Sequence, residues 1–176
     1  MVVPAVANLI PGRQTGERSV LAIIGCGNSN RCDDGVGVFV AQALQASLRQ
    51  RPCDGVRVFD AGTGGMDVMF QARGASKLIV VDASKSGSPP GAIFEVPGSE
   101  LQREHEPSFS LHDFRWDHAL AAGRRIFREQ FPADVSVVLI EAQSLALGLE
   151  LSAPVRAAAE RVIAQLSQVI DGYRAE

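Results

Sequence analysis

No apolar run in the 176-residue chain approaches the length needed to cross a bilayer as a helix, so no membrane role is expected. Cysteine is scarce. Cys26, Cys32 and Cys53 are the only three, and an odd number cannot all pair with one another. With no secretory leader pattern, that count points to reduced thiols and a cytoplasmic address. The opening residues MVVPAVANLIPG are apolar but carry two prolines and no basic n-region. Residues 1–18 are therefore expected to be a flexible lead-in to a single domain spanning 19–176. Basic clusters are also missing. Arg124-Arg125 is the one adjacent basic pair, and the net charge is −3, which offers no general attraction to nucleic acid or an anionic membrane.

The content that remains is that of an ordinary globular domain, 46% hydrophobic and 21% charged, long enough to bury a full core. Short apolar runs alternate with stretches of helical spacing. Leu21–Ile24 reads as a buried strand stopped by Gly25, and Val36–Leu48 as a helix ending near Arg51-Pro52. Val56–Asp60 is a second strand, and Met66–Arg73 a short helix with Gly74 just past its end. Lys77–Asp82 is a third strand, and Gly91–Val96 an edge strand after a polar turn. Ser110 is placed to cap a helix running to about Gln130, with Asp113 at its N3 position. Asp134–Glu141 is the last strand, and Ala153–Tyr173 the last helix, with Ser152 as its cap and Pro154 in its first turn. At least three strands are apolar on both faces. The expected fold is a single-domain α/β three-layer sandwich, with a twisted, mostly parallel sheet of about five strands and helices on both faces.

Ligands of such sheets bind beyond the carboxyl ends of the strands. Three strands here end in acids or lead straight into them: strand one into Asp33-Asp34, strand two at Asp60, strand three at Asp82. Any one of these can serve only a local hydrogen-bonding purpose. Several on one rim repel one another unless a cation or a shared proton intervenes. The first loop, GCGNSNRCDDGVG, opens like a dinucleotide fingerprint, but Asn30 stands where the third glycine is needed and no GK[ST] follows. Its two acids would repel a phosphate at the helix start. The second loop, Gly62-Thr63-Gly64-Gly65, allows close backbone approach to a ligand or is simply a tight turn.

Of the three histidines, His105 lies in a charged loop and His118 mid-helix, both suited to solvent. His112 falls in the first turn of its helix. With Asp34 and Asp60 it makes a two-carboxylate, one-imidazole set suited to a borderline divalent metal such as zinc or nickel, with open positions for a substrate. Cys26 and Cys32 lack a CxxC spacing; Cys26 is expected to pack beneath the loop, and Cys32 to be an exposable thiol. A Cys–His pair is the chemistry that would make a cysteine protease.

These pieces resemble the hydrogenase maturation endopeptidases, which process the large subunit of nickel–iron hydrogenases. The resemblance is carried by GCGNSNRCDDGVGVFVAQAL at 25–44, DAGTGGMDVMF at 60–70, LIVVDASKSG at 78–87, SLHDF at 110–114 and EAQSLALGLELSAPVRAA at 141–158. It implies a twisted sheet between helices and an endopeptidase of aspartyl type. Asp34, Asp60 and His112 would be both catalytic and metal-binding residues. It further implies cleavage of the C-terminal extension of a [NiFe]-hydrogenase large-subunit precursor, with nickel arriving in the substrate and zinc or cadmium able to substitute in the free protein. A monomer is expected. Two departures stand out. Asp34 takes a place where many members carry Glu, and Glu141-Ala142-Gln143 stands where Glu-Pro is common. Two other classes fit parts of the pattern: a hydrolase resembling peptidyl-tRNA hydrolase, with His112 as base and Asn28 orienting, and a non-enzymatic metal- or nucleotide-binding module. The first would want a basic face for tRNA.

Overall fold

The computed structural model describes residues 19–100 and 116–174. The elements, in order, are β1 (Leu21–Cys26), α1 (Val36–Gln50), β2 (Val56–Gly62), α2 (Gly65–Ala72), β3 (Lys77–Ser84), β4 (Ile93–Pro97), α3 (Trp116–Phe127), β5 (Asp134–Glu141) and α4 (Ala153–Arg174). Short 3-10 turns sit at Cys32–Gly35 and Arg128–Gln130. The five strands form one sheet in the order β2-β1-β3-β5-β4. All neighbours are parallel except β4, which runs antiparallel along the outer side of β5. The α/β sandwich expected from the sequence is the fold found. Ser110 and Asp113 lie outside the described residues, as does the expected lead-in over 1–18.

Strand side chains alternate between the faces, and each face is covered by its own pair of helices. Leu21 and Ile23 of β1, Ile79 and Val81 of β3, and Val138 and Ile140 of β5 join the core under α1 and α4. Ala22, Ile24 and Cys26, Leu78 and Val80, and Val135 and Val137 join the core under α2 and α3. Burial on both sides explains why these strands read as unbroken apolar runs. The register starts at Lys77↔Asp134, where the buried Lys77 ammonium meets the Asp134 carboxylate at 2.8 Å.

β1 does not stop at Gly25. It continues to Cys26, with Gly25 paired to Asp60 on one side and Val81 on the other. The glycine serves a close approach instead of a strand end. A Cβ on Gly25 would lie 2.0 Å from the Gly37 carbonyl oxygen. One on Gly37 would lie 2.2 Å from the Val81 carbonyl oxygen. The first turn of α1 thus sits directly on the backbone of β1 and β3, which fixes the height of the loop between β1 and α1 above the sheet.

Candidate active site

β1 leads by way of α1 to β2 on one side of itself, while β3 adjoins its other side. This change of direction makes the carboxyl ends of β1 and β3 the topological switch point, the usual ligand crevice of an open α/β sheet. Four connections meet at this rim: those after β1, β2, β3 and β5.

Strand parity decides where the rim acids face. Asp60 pairs with Gly25, whose other partner is Val81, a residue of the α1/α4 core. Asp60 therefore belongs to the α1 side. It is exposed, its Oδ2 accepts from Gln42 Nε2 of α1 at 3.0 Å, and its Oδ1 accepts from the Gly62 amide at 3.0 Å. Asp82, one residue beyond Val81, belongs to the opposite side. It is buried, and its Oδ2 accepts from Trp116 Nε1, at the start of α3, at 2.7 Å. With β1 between them, the backbones carrying Asp60 and Asp82 are separated by about 10 Å, two strand spacings.

The Asp34 backbone ends up beside the Asp82 side chain. Gly27, with φ +124, is wedged between them: a Cβ there would come 1.8 Å from the Asp34 carbonyl oxygen and 3.5 Å from Asp82 Oδ1. The Asp34 carboxylate is half-buried and accepts from the Asn28 amide at 3.2 Å. His112, the third residue expected here, lies outside the described residues. Among the described residues, no three His, Cys, Asp or Glu side chains form a group able to hold a metal ion.

Asp33 turns inward and does different work. It is fully buried. Its Oδ2 accepts from the amides of Gln143 and Ser144, both at 2.9 Å, and from the Ser152 hydroxyl at 2.9 Å. Its Oδ1 accepts from the Ser152 amide at 2.6 Å. Ser152, expected as the cap of α4, thus gives both its protons to Asp33. One carboxylate pins the β1 loop to both ends of the segment between β5 and α4.

Glu141 is a second internal clamp. At 1% exposure it receives the amides of Ser86 and Gly87 and the hydroxyls of Ser84 and Ser86, all within 3.0 Å. Burial pushes its pKa up, but the Ser86 amide, the Ser84 and Ser86 hydroxyls and the Gly87 amide outweigh that and hold it at about 2. The ordinary value is 4.5, so the folded state binds this proton less readily than the unfolded chain. The stabilisation is complete above 4.5 and is lost as pH falls from there toward 2. The thermal midpoint of the wild type is expected to drop across that interval, and Glu141→Gln to flatten the drop. An unchanged acid slope in the variant, by calorimetry, would contradict the assignment.

The sequence did not assign these inward roles to Asp33 and Glu141. Their partners were the available signal: Ser84, Ser86 and Gly87 crowd one turn with donors, as do Gln143, Ser144 and Ser152 after β5. Cys26 is buried, as expected, and Cys32 is half-buried with φ +44. Burial raises the pKa of the Cys53 thiol, which donates to the carbonyls of Asp54 and Ile170.

Comparison with known proteins agrees with this architecture. The family model described as hydrogenase maturation protease matches residues 38–169. The hydrogenase expression/formation protein HupM of Azotobacter chroococcum mcd 1 is 33% identical over 152 residues, 85% of this chain and 71% of that protein. The hydrogenase 2 maturation protease of Escherichia coli strain K12 is 28% identical over 148 residues, 83% of this chain and 87% of that one. Among solved structures, the hydrogenase maturating endopeptidase HybD from E. coli superposes with a TM-score of 0.70 at 27% identity, covering 86% of this chain and 92% of that one. The chain belongs to the hydrogenase maturation protease family and is a hydrolase of the endopeptidase class.

Proposed function

We propose that this protein removes the C-terminal extension of a [NiFe]-hydrogenase large-subunit precursor, and that it recognises nickel already held by that precursor. The observation that carries the reading is the approach of the Asp34 backbone to the Asp82 carboxylate across Gly27, which brings both acids to the β1/β3 switch point. Two carboxylates at one crevice are mutually repulsive until a cation arrives. An acidic rim that waits for its substrate's ion discriminates loaded precursor from unloaded precursor.

The sequence points to Asp34, Asp60 and His112 as the ion-holding, catalytic set. The geometry favours a variant of it, with Asp82 in place of Asp60. Asp60 lies on the α1 side, whereas Asp82 faces the start of α3, and His112 precedes Trp116 by four residues in the chain. Oxygen and imidazole donors suit a borderline ion such as nickel, with zinc or cadmium as substitutes in the free protein.

In peptide hydrolysis, water adds to the scissile carbonyl, the C–N bond breaks, and the leaving amine takes a proton. The substrate's ion, when bound, polarises that carbonyl or lowers the pKa of the attacking water. Asp34 orients the ion-bearing segment, and a rim carboxylate accepts the water's proton. Action as a monomer in the cytoplasm is part of the same proposal; among the described residues, no helix is long and apolar enough to cross a membrane.

Incubation with a nickel-loaded precursor is expected to give a product lighter by the mass of the extension, while metal-free precursor stays intact. Equal cleavage of both forms would overturn nickel recognition, and cleavage of neither would overturn the choice of substrate.

A further inference from the structure

The segment joining β5 to α4 reads Leu145-Ala146-Leu147-Gly148-Leu149-Glu150-Leu151, a leucine at every second position. The outer two, Leu145 and Leu151, pack against the core under α1 and α4. The inner two do not. Leu147 is 85% exposed and Leu149 79%, the most exposed large hydrophobic residues among those described.

This exposure does not come from a slack loop. Asp33 holds the Gln143 and Ser144 amides at one end and Ser152 at the other. In the middle, Cys32 donates to the Gly148 carbonyl at 2.8 Å, and the Gly148 amide donates to Asn30 at 3.0 Å. Arg31 Nε donates to the Leu145 carbonyl at 3.1 Å. Lys85 Nζ donates to the carbonyls of Ala142 and Gln143. Gly148 is needed for this closeness, since a Cβ there would lie 2.6 Å from Cys32 Sγ. Single exposed apolar side chains are commonplace. Two such side chains, separated only by Gly148 on a backbone anchored at both ends and in the centre, are held out to solvent, and exposed apolar surface marks interaction sites.

We infer that Leu147 and Leu149 form a docking surface for an apolar segment of the precursor flanking its scissile bond. The occupant follows from continuity. The residues that anchor the platform, Asn30 to Asp33, are the residues that lead directly into Asp34, so platform and crevice share one loop. A substrate protein reaching the acidic crevice meets these leucines beside it. The inference rests on the function proposed above, because it takes the precursor as the partner.

The test is the double variant Leu147→Ser/Leu149→Ser, compared with wild type for binding of nickel-loaded precursor by surface plasmon resonance and for cleavage by mass spectrometry. Loss of burial for each leucine is expected to weaken binding roughly tenfold, about 100-fold together. The nickel affinity of the isolated protein and its unfolding temperature should not fall. Undiminished precursor binding by the variant overturns the docking surface. Wild type that binds the precursor but does not cut it, with the variant failing to bind, supports docking and removes the proposed cleavage. A wild type that binds no precursor overturns both. A wild-type dimer in sedimentation that the variant turns into monomer, with precursor binding unchanged, assigns the leucines to a second copy and overturns the proposal.

Discussion

Asp34→Asn is expected to lower kcat/KM for nickel-loaded precursor by more than about 100-fold while leaving the protein folded. Loss of groups that merely orient metal ligands costs about 10–100-fold, and loss of a ligand's charge should exceed that. The amide keeps the shape and an acceptor for the Asn28 amide at 3.2 Å, so the loop has little reason to rearrange. What disappears is one unit of negative charge at the crevice. Asp34→Glu retains the charge and the oxygen donors and should retain much of the activity. His112→Ala is expected to match Asp34→Asn. The pair Asp60→Asn and Asp82→Asn then chooses between the two second carboxylates. If Asp82 holds the ion, its variant is inactive, while Asp60→Asn gives up at most one of its accepted bonds from Gln42 and Gly62 and stays active. Processing at the wild-type rate by both Asp34→Asn and His112→Ala would reject the ion site altogether.

The largest expected loss of stability comes one residue earlier. Asp33→Ala deletes the acceptor of four hydrogen bonds and leaves a hole where a fully buried carboxylate stood. Unsatisfied buried donors cost about 1–3 kcal/mol each, but some of these lie on a loop that can let water in, so about 3–5 kcal/mol in total is expected. That is a large share of the roughly 5–15 kcal/mol that holds a domain folded. Urea unfolding followed by circular dichroism measures it. A loss under about 0.5 kcal/mol, the usual range for surface substitutions, would contradict the clamp. The contrast between the neighbours is the informative part: Asp33 is expected to fail in stability and Asp34 in activity.

That contrast also shows what the sequence could and could not convey. The sheet was legible because burial on both faces writes itself as unbroken apolar runs, and β5 begins and ends where the run does, at Asp134 and Glu141. Gly25 misled, since close approach by Gly37 and a strand end call for the same residue type. The rim acids were legible as a group, because strands one to three end in or lead into them. Their individual roles were not. Whether Asp60 and Asp82 face the same side or opposite sides depends on the register across β1, where Gly25 pairs with Asp60 and with Val81, one residue short of Asp82. A one-residue change of register reverses the side to which a strand residue points. Asp33 and Asp34 are the same residue type, adjacent, in one 3-10 turn, and only the fold separates the clamp from the crevice. The leucine alternation at 145–151 was visible, but which leucines are covered depends on the core beneath α1 and α4.

The most direct measurement of the central claim is anomalous diffraction at the nickel edge from crystals of the protein soaked in nickel. One ion is expected at the carboxyl ends of β1 and β3, within coordinating distance of Asp34 and His112 and completed by Asp82. Nickel held elsewhere, with those side chains turned away from it, would contradict the account.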